Sequence, residues 1–169
     1  MLIELPTADE IDALAITTPR FEVRKFEFDL GDQPADLKYS PCKGQMVLVI
    51  AGKNGIALTR INKKARWNLP SGRISTIEEA TAAAKRIALE QCGVMIRCLD
   101  LAAMYDVIWH YSDITIKRLH LVYSALTDDE GCGAQAGSGD AEAMFFDELP
   151  EELMDDDLAA SAVTDCSNK

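Results

Sequence analysis

The chain has 169 residues, 48% of them apolar and 27% charged, enough for one domain with a core of its own and too few for two ordinary ones. Its formal net charge of −11 is concentrated at one end: residues 1–127 hold 15 acids and 16 bases, and residues 128–169 hold 13 acids and Lys169 alone. A membrane span, which needs roughly 20 apolar residues in a row, and a broad nucleic-acid surface, which needs a dominant basic face, are both excluded from expectation.

The start, MLIELPTADEID, has no basic region ahead of an apolar stretch, so no secretory signal is expected. Five cysteines (Cys42, Cys92, Cys98, Cys132 and Cys166) are scattered without a C-x-x-C pair. That pattern suits neither a disulfide framework nor a zinc site, and the expected location is the reducing cytoplasm. The acidic C-terminal quarter reads as a solvated flank or as a segment that binds a basic partner or shields a basic site.

Taken in chain order, Ala8–Ala15 is predicted as a short helix capped by Thr7, with Glu10 as the reciprocal capping partner. In FEVRKFEFD the apolar residues Phe21, Val23, Phe26 and Phe28 alternate with one slip at Arg24-Lys25, which predicts a strand with a bulge or bend there. Pro34 and Pro41 punctuate a loop. The runs QMVLVIA (45–51) and GIALTRI (55–61) flank Gly52-Lys53-Asn54, a hairpin signal because Asn and Gly tolerate positive φ. Residues 62–73, NKKARWNLPSGR, are basic, are broken by Pro70 and Gly72, and read as irregular. A helix is predicted next, capped by Ser75 or Thr76, with Glu78 and Glu79 in its first turn and Gly93 just past its end. Residues 94–111 and 114–126 read as strands, 128–140 as a glycine-rich polar loop, 143–146 as a last strand, and 147–161 as one or two acidic helical turns. This order points to an α/β or α+β domain with a mixed sheet.

Gly72, Glu78, Arg86, Glu90, Gly93 and Val94 occur in GRISTIEEATAAAKRIALEQCGV, which resembles the Nudix box G-x5-E-x7-R-E-U-x-E-E-x-G-U, where U is aliphatic. The preceding WNLPSG resembles the family's W-x-L-P-G-G entry with Ser71 for the first glycine, and EAMFFDELP (142–150) resembles its closing strand and following helix. The resemblance covers about residues 44–152 and implies the Nudix fold, a mixed β-sheet sandwiched between helices. The implied organisation is an N-terminal helix-and-strand extension over 1–40, a Nudix domain over 41–153 and an acidic tail over 154–169.

The resemblance also implies a chemistry: water attacks phosphorus in a nucleoside diphosphate linked to another group, with Mg²⁺ or Mn²⁺ neutralising the phosphates. Mg²⁺ takes hard oxygen ligands, commonly one or two carboxylates plus substrate phosphates and water. The family supplies carboxylates at helix spacings i, i+3 and i+4, on one face. Here those positions are Ile87, Glu90 and Gln91, so one carboxylate survives. Ile87 can neither ligate a metal nor accept a proton, whereas Gln91 keeps an uncharged carbonyl oxygen. At 100° per residue Ile77, Ala80, Ala84, Ile87, Ala88 and Gln91 share an apolar-facing stripe about 100° wide, with Glu90 outside it.

By the same resemblance Glu90 is the candidate catalytic residue, and Glu90, Gln91 and Glu142 are the candidate metal ligands. Gly72, Glu78, Arg86 and Gly93 are the structural positions of the box, with Glu78 and Arg86 paired as a salt bridge. Arg60, Lys63, Lys64, Arg66, Arg73, Lys85 and Arg86 make residues 60–86 basic. Of these, Arg60, Arg66 and Arg73 are the candidate phosphate-binding groups, against the plainer reading of a solvated basic loop. Trp67 either stacks on a base or packs beneath the loop. His110 and His120 read as structural or surface groups, and Cys92 as a small buried residue.

The expected function is a Nudix-type hydrolase with a depleted metal site, its Mg²⁺ or Mn²⁺ bound weakly or not at all, and weak or altered activity. The alternatives are a catalytically silent Nudix-fold module that binds a nucleotide or sugar nucleotide, and a protein-interaction domain. A nucleotide-type ligand and a homodimer are the expected partners.

Overall fold

A computed structural model describes residues 2–5, 23–32, 44–133, 139–153 and 156–168. The helix expected over Ala8–Ala15, the prolines Pro34 and Pro41, and Cys42 lie outside those residues. Two short-range signals in the sequence organise the sheet. At the first, β3 (Gly44–Gly52) and β4 (Gly55–Arg60) join through Lys53-Asn54, with Gly52 opposite Gly55. Gly55 alone takes the left-handed backbone there (φ +109°), and a Cβ on it would lie 2.1 Å from the Phe146 carbonyl oxygen. Glycine is therefore required twice over, by conformation and by space.

The second signal is the pair of long strands, β6 (Arg97–Tyr111) and β7 (Thr115–Leu126), which form an antiparallel hairpin. With β3 and β4, and with β1 (Leu2–Leu5), β2 (Val23–Gly31), β5 (Ser71–Ile74) and β8 (Glu142–Phe146), they give an eight-stranded mixed sheet. Its main path runs β2-β6-β7-β3-β4-β8, with β1 beside β7 and β5 beside β3. The pairs β2–β6, β3–β7 and β1–β7 are parallel.

Helix α1 (Ala80–Cys92) covers one face of the sheet and α2 (Asp156–Ser167) the other. Alternation along β3 supplies both cores. Met46, Leu48 and Ile50 pack with Ala84, Ile87 and Ala88 of α1, while Val47 and Val49 pack on the side of Leu158, Ala159 and Ala162 of α2. The observed architecture is thus the expected mixed sheet between helices.

Four local expectations change. The strand at β2 forms, but its register shift falls between Asp29 and Gly31 and not at Arg24-Lys25. Within the stretch read as irregular, Ser71–Ile74 is a strand, because pairing with Gly44–Val47 satisfies its backbone. The box helix begins at Ala80: Ser75 and Glu78 close a turn before it, with the Glu78 amide donating to the Ser75 carbonyl at 3.1 Å. Glu79 holds the N-cap position, and Ile77 is 94% exposed and not part of the buried stripe, which Ala83 and Cys92 extend instead. Finally, residues 154–169, expected as an acidic tail, contain α2, whose Leu158, Ala159 and Ala162 are buried. Arg24 of β2 fastens this helix through an ion pair with Asp165 (2.9 Å), which also accepts a hydrogen bond from the Tyr105 hydroxyl. Among the described residues no helix is long and apolar enough to cross a membrane.

Candidate functional site

The box begins where β5 passes under α1. Gly72 lies on β5 opposite Met46, and a Cβ there would meet Ile87 Cδ1 and Cγ1 at 3.1 Å. Ile87 is fully buried in the core beneath α1. Burying that side chain contributes about 1.5–3 kcal/mol. The position at which the resemblance expects a carboxylate is therefore part of the hydrophobic core.

Gln91, one turn further along α1, is engaged with the chain itself. Its Nε2 donates to the Ser71 carbonyl at 2.6 Å and its Oε1 accepts from the Ser71 amide at 3.1 Å. Both ends of the side-chain amide are used, and the backbone pair fixes which end is oxygen. The candidate metal-ligating oxygen of Gln91 thus already has a proton donor.

Arg86 sits between two carboxylates. Its Nε and Nη2 donate to Glu78 at 2.9 and 3.0 Å, Nη2 also reaches the Arg73 carbonyl at 3.1 Å, and Nη1 stands 3.6 Å from Glu90. The Glu78 hydrogen bond is the main cause holding the Arg86 guanidinium above its ordinary pKa. This ion pair ties the turn before α1 to the helix. At the other end of α1, Gly93 takes the left-handed C-cap conformation (φ 65°) and donates to Leu89 at 3.0 Å.

Glu142 is clamped across the β4–β8 ladder, where it is directly opposite Arg60. Arg60 Nε donates to Glu142 at 2.7 Å, its Nη2 pairs with the same carboxylate, and Nη1 reaches the Lys63 carbonyl at 3.1 Å. The guanidinium also lies 4.4 Å from the centroid of the Trp67 ring. Trp67 is buried beneath the loop, edge-on to Phe146 at 4.9 Å, so its ring is committed to packing and not to a base.

Between these elements lies a cavity of about 310 Å³, at the small end of the range for ligand sites. Arg60, Arg66, Glu90 and Gln91 line it, together with Ser71 and the apolar Ile61. Arg73 is not among the lining residues, and its carbonyl is the group that meets Arg86. Arg66 is exposed and makes no hydrogen bond or ion pair among the described residues. Sequence reasoning missed Ser71 as a partner. The sole signal for it was a serine where the resembled entry has glycine, and its contact with Gln91 spans 20 residues.

The remaining candidates lie elsewhere. His120 is buried against the Trp109 ring (5.4 Å), and its Nδ1–H donates to the Arg118 carbonyl at 3.3 Å. Burial lowers its pKa to about 4. His110 meets Thr115 Oγ1 at 3.3 Å. Cys92 is buried, and burial pushes its thiol up to about 12.

A bound Mg²⁺ is commonly held by one or two carboxylates, with substrate phosphates and water completing its shell. Ile87 offers none, Gln91 Oε1 holds a backbone N–H, Glu142 is ion-paired with Arg60, and Glu90 is the one candidate carboxylate left at the cavity, where the resemblance implies three on one helix face. Among the described residues no group of three or more His, Cys, Asp or Glu side chains is placed to hold a metal ion. The residues present do not fit the metal centre that the resemblance implies.

Comparison with solved structures agrees with this architecture. A variant of the pyrophosphohydrolase RppH from Bacillus subtilis superposes with a TM-score of 0.57 at 18% identity, over 80% of this chain and 87% of that one. The Nudix domain of NrtR from Shewanella oneidensis, crystallised with ADP-ribose, gives 0.56 at 17% identity, over 80% and 92%. A Nudix hydrolase from Nitrosomonas europaea gives 0.51 at 18%, over 73% and 87%. No family model matches the chain, and no curated protein matches it in sequence. The fold is that of the Nudix hydrolases. At the positions where the resemblance places the box carboxylates, this chain has Ile87, buried in the core, Glu90, exposed at the cavity, and Gln91, bonded to Ser71.

Proposed function

We propose that the protein binds a nucleotide-type ligand in the cavity beside Arg66 and does not hydrolyse it through a metal centre of its own. The pairing of Gln91 with Ser71 carries this reading: a side chain at a ligand position has become a structural link between α1 and β5. A free guanidinium at the cavity suits phosphate oxygens, and the complex of a structural neighbour with ADP-ribose supports a ligand of that class. Among the described residues, cysteines without a disulfide, such as Cys92, Cys98 and Cys132, suit a reducing cytoplasm.

Calorimetric titration with ADP-ribose tests the proposal, once in EDTA and once in Mg²⁺. Binding of equal strength in both, with no product released from a panel of nucleoside diphosphate derivatives, is the expected result. One observation favours a second reading, slow hydrolysis with a metal delivered by the substrate. Glu90 is an exposed carboxylate at the cavity. Metal-dependent turnover that Glu90→Gln abolishes would establish that reading and overturn the first.

A further inference from the structure

The cavity's charge inventory narrows the ligand class, an inference that rests on the binding function proposed above. Arg60 faces the cavity but its charge is matched by Glu142, its Nη1 is taken by Lys63, and its face lies against Trp67. Arg66 is the one lining cation with no partner among the described residues. Glu90 adds a negative charge to the lining of the same cavity, and it pairs with Arg86 at 3.6 Å. The rest of the lining is mainly small or apolar, with Ile61 76% exposed beside Ala65 and Ala141.

We infer that this cavity takes a nucleoside monophosphate, without a divalent cation: one phosphate on Arg66, a sugar hydroxyl on Glu90 and the base against Ile61. A guanidinium fork matches two oxygens of one phosphate. A second phosphate brings further negative charge toward Glu90, and among the described residues no second unpaired cation lines the cavity to meet it. In nucleotide sites that lack metal, a carboxylate that repels phosphate is a good acceptor for ribose hydroxyls. Glu90, expected from the resemblance to be a catalytic residue and metal ligand, here selects against longer phosphate chains.

Titration of the full chain with AMP, GMP, CMP, UMP, ADP, ADP-ribose and adenosine, each in EDTA and in Mg²⁺, tests this. At least one monophosphate is expected to bind about tenfold or more tighter than ADP and adenosine in EDTA, with no gain from Mg²⁺. Arg66→Ala should weaken it by about 10- to 100-fold, the worth of a charge-assisted hydrogen bond. Glu90→Gln should narrow the gap by raising affinity for ADP. Tighter binding of ADP or ADP-ribose than of every monophosphate, still lost in Arg66→Ala, overturns the inference and leaves the binding function standing. Adenosine binding as well as AMP overturns it too. No binding of any of the seven overturns both.

Discussion

Gln91 and Ser71, 20 residues apart, are joined by two hydrogen bonds, from Gln91 Nε2 to the Ser71 carbonyl and from the Ser71 amide to Gln91 Oε1. A carboxylate at position 91 would accept from the amide but would set a second oxygen against the carbonyl. Gln91→Glu is therefore expected to cost about 1–3 kcal/mol, the range for leaving a part-buried polar group unsatisfied. Ile87→Glu is expected to cost more, about 3 kcal/mol or above, because the new carboxylate enters a fully buried site. Urea denaturation measures both. A double variant that folds with native stability and gains strong Mg²⁺-dependent hydrolysis would refute this account of positions 87 and 91.

Gly72 and Ile87 are sterically coupled. Gly72 has an ordinary φ, so its constraint is the 3.1 Å approach of Ile87 to the Cβ position. Ile87 belongs to a packed core and has little room to retreat. Gly72→Ala is expected to destabilise by about 1–3 kcal/mol, and Ile87→Val by about 0.5–1.5 kcal/mol. Made together, they should cost less than the two singly, since Val removes the clashing Cδ1. Strict additivity in a double-mutant cycle would show that the two residues do not press on each other.

Arg60 links Glu142 to Trp67. Arg60→Met should cost about 1–2 kcal/mol, discounted for the partial exposure of both charged groups. It should also shift Trp67 fluorescence, because the cation leaves the ring face. Unchanged emission with unchanged stability would mean that the cluster does not persist in solution.

His120 gives the protein a pH-dependent stability of defined sign. Its folded pKa, about 4, lies below the ordinary value of 6.5, so below pH 6.5 the unfolded chain binds the proton first. The stability held by neutral His120 is full above pH 6.5 and is lost as pH falls toward 4, by about 3 kcal/mol in total. Urea midpoints at pH 7 and pH 5 measure the loss. A His120→Asn variant should show a shallower fall over that interval, and an identical fall in both proteins would assign it to other groups.

Thiol reactivity should follow burial. Cys98 is exposed, whereas Cys92 is buried with its thiol pushed up to about 12. Mass spectrometry after brief alkylation at pH 8 should find Cys98 modified and Cys92 modified only after denaturation. Early labelling of Cys92 would show that the C-terminal end of α1 opens readily.

Much of the chain was legible because its signals are local. The Lys53-Asn54 hairpin, the long strands β6 and β7 and the Gly93 cap each follow from residues close in sequence, and the Glu78–Arg86 pair was implied by the box resemblance. Periodicity gave the faces of α1 but not its start, since Ser75 and Glu78 satisfy each other in a turn that competes with the helix. It also could not show that Asp156–Ser167 would bury Leu158 and Ala162, because that depends on an open sheet face supplied by distant strands.

The box itself divides in the same way. The resemblance in the sequence was enough to expect that Ile87 and Gln91 stand where the family has carboxylates, since the box pattern has fixed spacing. Only the tertiary structure decided what became of the remaining donors. Gln91 Oε1 meets a backbone amide from β5, Glu142 meets a guanidinium across a strand ladder, and Arg66 is left to face the cavity. Those outcomes depend on contacts between groups 20 to 82 residues apart. Hydrogen bonds and ion pairs of that kind are set by which strand lies beside which, and not by the identity of neighbouring residues.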